Sequence, residues 1–156
     1  MISVTIPDFG HLDLVHLVLD YNGTLAVDGR MLDGIREALS LLAGQLEIHV
    51  VTGDTYGNAA SFLTGLNVRL TTLGDRHQAI EKRRYVERLG GDGTVAIGNG
   101  RNDAAMLDAA VLGIAVLGTE GAATDALDAA DVVVRHVVDG FGLLLHPKRL
   151  IASLRA

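Results

Sequence analysis

Short apolar runs that each end in a polar, glycine-bearing turn constrain this chain most. The first, 15–19, ends in Asp20-Tyr21-Asn22-Gly23-Thr24-Leu25. The second, 46–51, ends in Thr52-Gly53-Asp54, and a later one, 94–97, ends in Gly98-Asn99-Gly100. Runs this short, bounded by turn residues, read as buried strands rather than helices. Near-continuous apolar strands belong to parallel sheets covered on both faces. A carboxylate at the C-terminal end of such a strand sits where open α/β sheets bind ligands.

The segments between the runs have helical periodicity. Ile35, Leu39 and Leu42 recur at helical spacing within 32–43, and Gly44 can stop that helix. Further strands are expected over 1–6, 68–70, 113–116 and 132–134. Further helices are expected over 57–63, from an N-cap at Asp75 through Leu89, from Asn102 or Asp103 through Ala110, over 122–129, and over 141–154 with a break at Pro147. Strands alternating with helices imply right-handed βαβ units, which bring all strand C-termini to one edge. No linker or internal repeat interrupts the pattern. The expectation is one α/β domain over 1–156, a three-layer Rossmann-like parallel sheet with helices on both faces.

Composition narrows the function. Of 156 residues, 49% are apolar and 21% charged, which favours a core over long disorder. A net charge of -6 and 4% aromatics argue against nucleic acid as the partner. No cysteine is present, so thiolate metal sites and disulfides are ruled out. The longest apolar stretch, 104–118, carries Asp108 and is too short to span a bilayer, so no membrane partner is expected. No basic-then-apolar leader opens the sequence, and a cytoplasmic location is the expectation.

Asp20, Thr52, Lys82 and Asp103 fall at strand ends or on the helices between them. Together they make a coherent set for phosphoryl transfer. Asp20 would attack phosphorus. Thr52 and backbone N–H groups, including that of Gly53, would hold phosphoryl oxygens, with Asn102 beside them. Lys82 would offset negative charge, while Asp20 and Asp103 would hold Mg²⁺ through hard oxygens. Each residue also has a simpler reading. Thr52 and Asn102-Asp103 could cap helices, and Asp54 could hold a turn. Lys82 lies beside Arg83 and Arg84 and could belong to a solvated face. His16 and His49 read as core or edge residues of strands rather than ligands. No P-loop and no dinucleotide fingerprint occur.

In order along the chain, these motifs resemble the haloacid dehalogenase-like superfamily, and within it the phosphorylation domain of P-type ATPases. Asp20-Tyr21-Asn22-Gly23-Thr24-Leu25 resembles its first motif, and Val51-Thr52-Gly53-Asp54 its second. Lys82 precedes Gly98 by a helix and a strand, as the family lysine does. Gly98-Asn99-Gly100-Arg101-Asn102-Asp103 resembles its fourth motif. The resemblance covers about 15–134. It implies an aspartyl-phosphate on Asp20, a Mg²⁺ ligand in the Asn22 carbonyl, and a phosphoryl group held by Thr52 and Lys82.

Two residues depart from the family pattern. Asn22 stands where phosphatases of the family have a general acid–base Asp, whose loss costs about 10²–10⁴-fold in rate. Asn99 stands where a Mg²⁺-binding Asp is usual, so the carbonyl oxygen stays and one charge goes. The resemblance therefore implies a phosphohydrolase or phosphotransferase, slowed by Asn22, acting on a phosphorylated small molecule. The alternative is a non-catalytic domain that binds phosphate, metal or a protein partner. The spacing from Thr24 to Thr52 leaves no room for the nucleotide-binding domain of an ion pump. Neither there nor between Asp54 and Lys82 is there room for a large cap. Capless relatives often cover the site with a neighbouring subunit, which implies a homo-oligomer.

Overall fold

Among the described residues, six parallel strands form the central sheet. The computed structural model describes residues 1–53 and 57–156. The chain opens with β1 (Ile2–Ile6) and β2 (Gly10–Leu14), an antiparallel hairpin separate from the main sheet. β3 (His16–Leu19) enters the sheet. A two-strand flap follows, β4 (Ala26–Val27) and β5 (Arg30–Met31). Next come α1 (Ile35–Leu42), β6 (Glu47–Thr52), α2 (Asn58–Leu63), β7 (Arg69–Thr72), α3 (Gln78–Leu89) and β8 (Thr94–Gly98). The chain continues through α4 (Ala104–Ala109), β9 (Leu112–Val116), α5 (Thr124–Ala129), β10 (Val132–Val134), α6 (Val137–Leu145) and α7 (Pro147–Leu154).

The spatial order is β10-β9-β8-β3-β6-β7. The chain winds outward from β3 in one direction and, after β7, returns to build outward in the other. The reversal lies between β3 and β8, the crevice position where doubly wound sheets bind ligands. Alternation along the strands sorts side chains to two faces. Leu17, Leu19, Val95, Ile97 and Ile114 pack on one side with Leu39 of α1 and Phe141 of α6. Val18, Val51, Ala96 and Ala115 pack on the other with Val86 of α3, Met106 of α4 and Ala126 of α5. Helices therefore cover both faces, as the apolar runs require, and no large cap is inserted among the described residues.

The structure differs from the sequence expectations at several boundaries. Val15 is half-exposed and precedes β3, while Leu12 and Leu14 of the unexpected β2 are buried against Val4 and Ile6. Asp75 does not cap α3; His77, in left-handed conformation at φ 61°, precedes it. The C-terminal helical region starts at Val137, earlier than expected. Pro147 begins α7, where its missing N–H costs nothing. The flap turns on Asp28-Gly29, with φ of 51° and 74°, the left-handed pair that a tight hairpin needs.

Candidate active site

Asp20 follows β3 directly, and its N–H donates to the Ile97 carbonyl of β8 at 3.0 Å. That bond extends the β3–β8 ladder by one residue and places the carboxylate at the topological reversal. α3 packs on the same face of β3. Its Lys82 is fully buried, and Nζ donates to Asp20 Oδ1 at 2.6 Å and to Asp103 Oδ1 at 2.7 Å. A lysine with no solvent exposure needs both partners. Lys82 is thus not part of a solvated face; Arg83 and Arg84 are, paired with Glu87 and Glu81.

Asp103 is fully buried as well. Its Oδ2 accepts the N–H groups of Asn99 at 3.0 Å and Gly100 at 2.8 Å. Both of its oxygens are engaged by the chain. Asp103, expected from the sequence as a cation ligand, anchors Lys82 and the turn after β8.

Thr24 links Asp20 to Asn99. Thr24 Oγ1 lies 3.4 Å from Asp20 Oδ2 and 3.2 Å from Asn99 Oδ1. Asn99 Nδ2 donates to the Gly121 carbonyl at 3.0 Å, which turns the amide oxygen toward Thr24 and Asp20. A hydroxyl has one hydrogen, so it can donate to only one of the two oxygens at a time. Gly23 permits this approach. Its φ is 80°, and a Cβ there would lie 2.5 Å from Asn99 Nδ2.

The cleft above these groups has a volume of about 210 Å³. Asp20, Asn22, Thr52 and Gly53 line one part of it; Gln78, Asn99, Gly100 and Asn102 line the rest. Of the residues expected from sequence, the buried Lys82 and Asp103 stand behind the lining. Asp54 lies outside the described residues. Gln78 is absent from the sequence expectations, although it precedes Lys82 by four positions and so shares its helix face. Asn102 Nδ2 donates to Gln78 Oε1 at 3.0 Å. Thr24 stands in a recognised motif, but its bridging position shows only in the fold.

The electrostatics follow from the count of charges. Two carboxylates share one fully buried ammonium at the base of the cleft. Burial, then the neighbouring Asp103 charge, push the Asp20 carboxyl up to about 6, with Lys82 pulling against them. Asp20 and Asp103 hold Lys82 in its charged form against the opposing pull of burial. The site thus carries one net negative charge when both acids are ionised. Asp20 Oδ2 and Asn99 Oδ1, hard oxygens brought together on one hydroxyl, are the donor type that Mg²⁺ takes.

No family model matches the chain. It is 41% identical over 39 residues to uncharacterized protein MJ0072 of Methanocaldococcus jannaschii, 25% of this chain and 89% of that protein. It belongs to the family of that protein. A second match in the same organism, uncharacterized protein MJ0073, is 46% identical over 61 residues, 39% of this chain and 66% of that protein. Among solved structures, a putative HAD family hydrolase from Streptomyces avermitilis superposes at TM-score 0.65 with 20% identity, over 92% of this chain and 85% of that one. The fold is haloacid dehalogenase-like. The 3-deoxy-D-manno-octulosonate 8-phosphate phosphatase of Moraxella catarrhalis, in complex with magnesium, phosphate and KDO, superposes at TM-score 0.68 with 16% identity. That match covers 92% of this chain and 94% of the phosphatase. A zinc-transporting PIB-type ATPase shares the fold at TM-score 0.63 and 22% identity, over 80% of this chain but 20% of the pump. The haloacid dehalogenase-like core of this chain therefore compares with whole phosphatases and with one portion of a pump.

Proposed function

We propose that this chain is a Mg²⁺-dependent phosphohydrolase or phosphotransferase acting on a phosphorylated small molecule through phospho-Asp20. The observation that carries the reading is the Asp20 carboxylate at the strand reversal, bonded to buried Lys82 and opening on a polar cleft. A structural neighbour that is a phosphatase of a phosphorylated sugar acid, in complex with magnesium and phosphate, supports the same chemistry.

An Asp20 oxygen attacks phosphorus while the bond to the leaving oxygen breaks. That oxygen takes its proton from water, because the Asn22 amide has none to give at neutral pH. Water or an acceptor hydroxyl then attacks phosphorus and releases its proton to solvent, the Asp20–phosphorus bond breaks, and the carboxylate returns. Thr52, the Gly53 N–H, Asn102 and Lys82 hold the phosphoryl oxygens. Asp20, the Asn22 carbonyl and Asn99 hold the cation, and Asp103 acts behind Lys82 and the Asn99-Gly100 turn. Mg²⁺, when bound, neutralises charge on the phosphoryl group.

Incubation with acetyl phosphate or p-nitrophenyl phosphate and Mg²⁺, followed by acid quenching, tests this reading. The expected product is a hydroxylamine-sensitive phosphate on the wild-type chain and none on Asp20→Asn. Folded wild-type protein with neither label nor turnover would refute it.

A further inference from the structure

The opposite end of β3 carries a second polar cluster. His16 opens β3 and lies beside Glu47, the first residue of β6; His49 follows two positions along β6 on the same face. The parallel register of β3 and β6 brings these groups together from positions far apart in the chain. His16 Nδ1 lies 3.3 Å from His49 Nε2 and 3.8 Å from Glu47 Oε2. One donor atom from each residue falls within 4.8 Å of the other two.

The His16–His49 spacing matches a metal's coordination edge, and the exposed Glu47 carboxylate lies within a side-chain rotation of it. Ligands 2.0–2.1 Å from a tetrahedral Zn²⁺ stand about 3.4 Å apart. The outer groups are also in place. His49 Nδ1 lies 3.0 Å from the Tyr85 hydroxyl, which Thr71 Oγ1 approaches at 3.5 Å. A ring whose Nδ1 bonds a fixed partner presents its Nε2 lone pair outward, the arrangement that metal-ligating histidines use. A charged neighbour is Arg69, whose Nη2 lies 3.5 Å from Glu47 Oε2. Its side chain is largely exposed and can swing aside.

The geometry points to a transition-metal site in which His16 Nδ1, His49 Nε2 and Glu47 Oε2 hold a borderline divalent cation of the Zn²⁺, Co²⁺ or Ni²⁺ class. Two imidazoles and one carboxylate select that class over Mg²⁺. Water would complete the coordination from the side of the exposed Glu47. The site lies four residues along β3 from Asp20, about 13 Å at 3.3 Å per residue. It joins the two strands that carry Asp20 and Thr52, and it does not depend on the reading of the Asp20 cleft.

Co²⁺ titration in excess Mg²⁺ tests the site, because Mg²⁺ occupies oxygen-only positions while four-coordinate Co²⁺ absorbs strongly in the visible. Wild type and Asp20→Asn are expected to give the same saturable band at one equivalent. His16→Asn and Glu47→Gln are expected to lose it while keeping their melting transitions. Tyr85→Phe is expected to weaken binding about 10- to 100-fold. His49 is fully buried, so its replacement is not needed for the test. No band in wild type would overturn the proposal. So would a band unchanged in His16→Asn and Glu47→Gln, or one lost in Asp20→Asn.

Discussion

At the scale of single residues, Asp20 and Asn22 set what the cleft can do. Because the Asp20 carboxyl is pushed up to about 6, a proton competes with any cation for it in mildly acidic solution. Lowering pH from 7 to 5 takes Asp20 from mostly ionised to mostly protonated. Mg²⁺ affinity should therefore fall about 10-fold over that range. Calorimetric titration at the two pH values measures it, with Asp20→Asn losing the dependence. Asn22 lines the same cleft and supplies no proton. Asn22→Asp should raise steady-state turnover of p-nitrophenyl phosphate about 10-fold or more by restoring an acid–base group. A rate equal to wild type would show that an acid at position 22 does not limit turnover.

At the scale of elements, α3 and the turn after β3 position the site. α3 delivers Gln78 to the cleft and, one turn later, Lys82 to the two buried carboxylates. Lys82→Ala leaves Asp20 and Asp103 facing each other without a cation. The expected loss is about 3–5 kcal/mol in urea unfolding, typical of breaking a buried ion pair from one side. Gly23 holds the chain in a left-handed turn against the Asn99 amide. Gly23→Ala should cost about 1–3 kcal/mol from strain at position 23, and should weaken Mg²⁺ binding because the added Cβ displaces the Asn99 amide proposed as a cation donor. Thermal melting and calorimetry on the same sample separate the two effects.

At the scale of the whole molecule, the doubly wound order leaves the cleft open above the strand ends. Among the described residues no large cap covers it, and the flap β4–β5 is what the chain inserts between β3 and α1. A neighbouring copy would supply the missing cover. Light scattering should give a mass above that of one chain, and activity per chain should fall on dilution below the dissociation range. A monomer with full activity at nanomolar concentration would contradict that expectation. Among the described residues, no helix is long and apolar enough to cross a membrane.

Much of this was legible in the sequence because the determining signals are local. The apolar runs that became β3, β6, β8 and β9 are buried on both faces, and burial on both faces removes alternation in favour of continuous hydrophobicity. Asp20, Thr52 and Asn99 stand at the C-terminal ends of strands because a polar residue after such a run has to leave the core. The start of β3 and the presence of β2 were less legible. Val15 and the Leu12–Leu14 alternation belong to different parts of the fold, and composition does not mark where a chain passes from one sheet to another.

What the tertiary structure alone decided is direction and company. Asp103 turns inward because the Asn99 and Gly100 N–H groups and Lys82 are there to receive its oxygens. Thr24 reaches Asn99 across 75 positions, and His16 reaches His49 across 33. Strand register and helix docking fix such meetings, and both are set by long-range packing that leaves no periodic trace in the chain. The residues and their chemical types were written locally; which of them share a proton, a lysine or a cation depended on the fold.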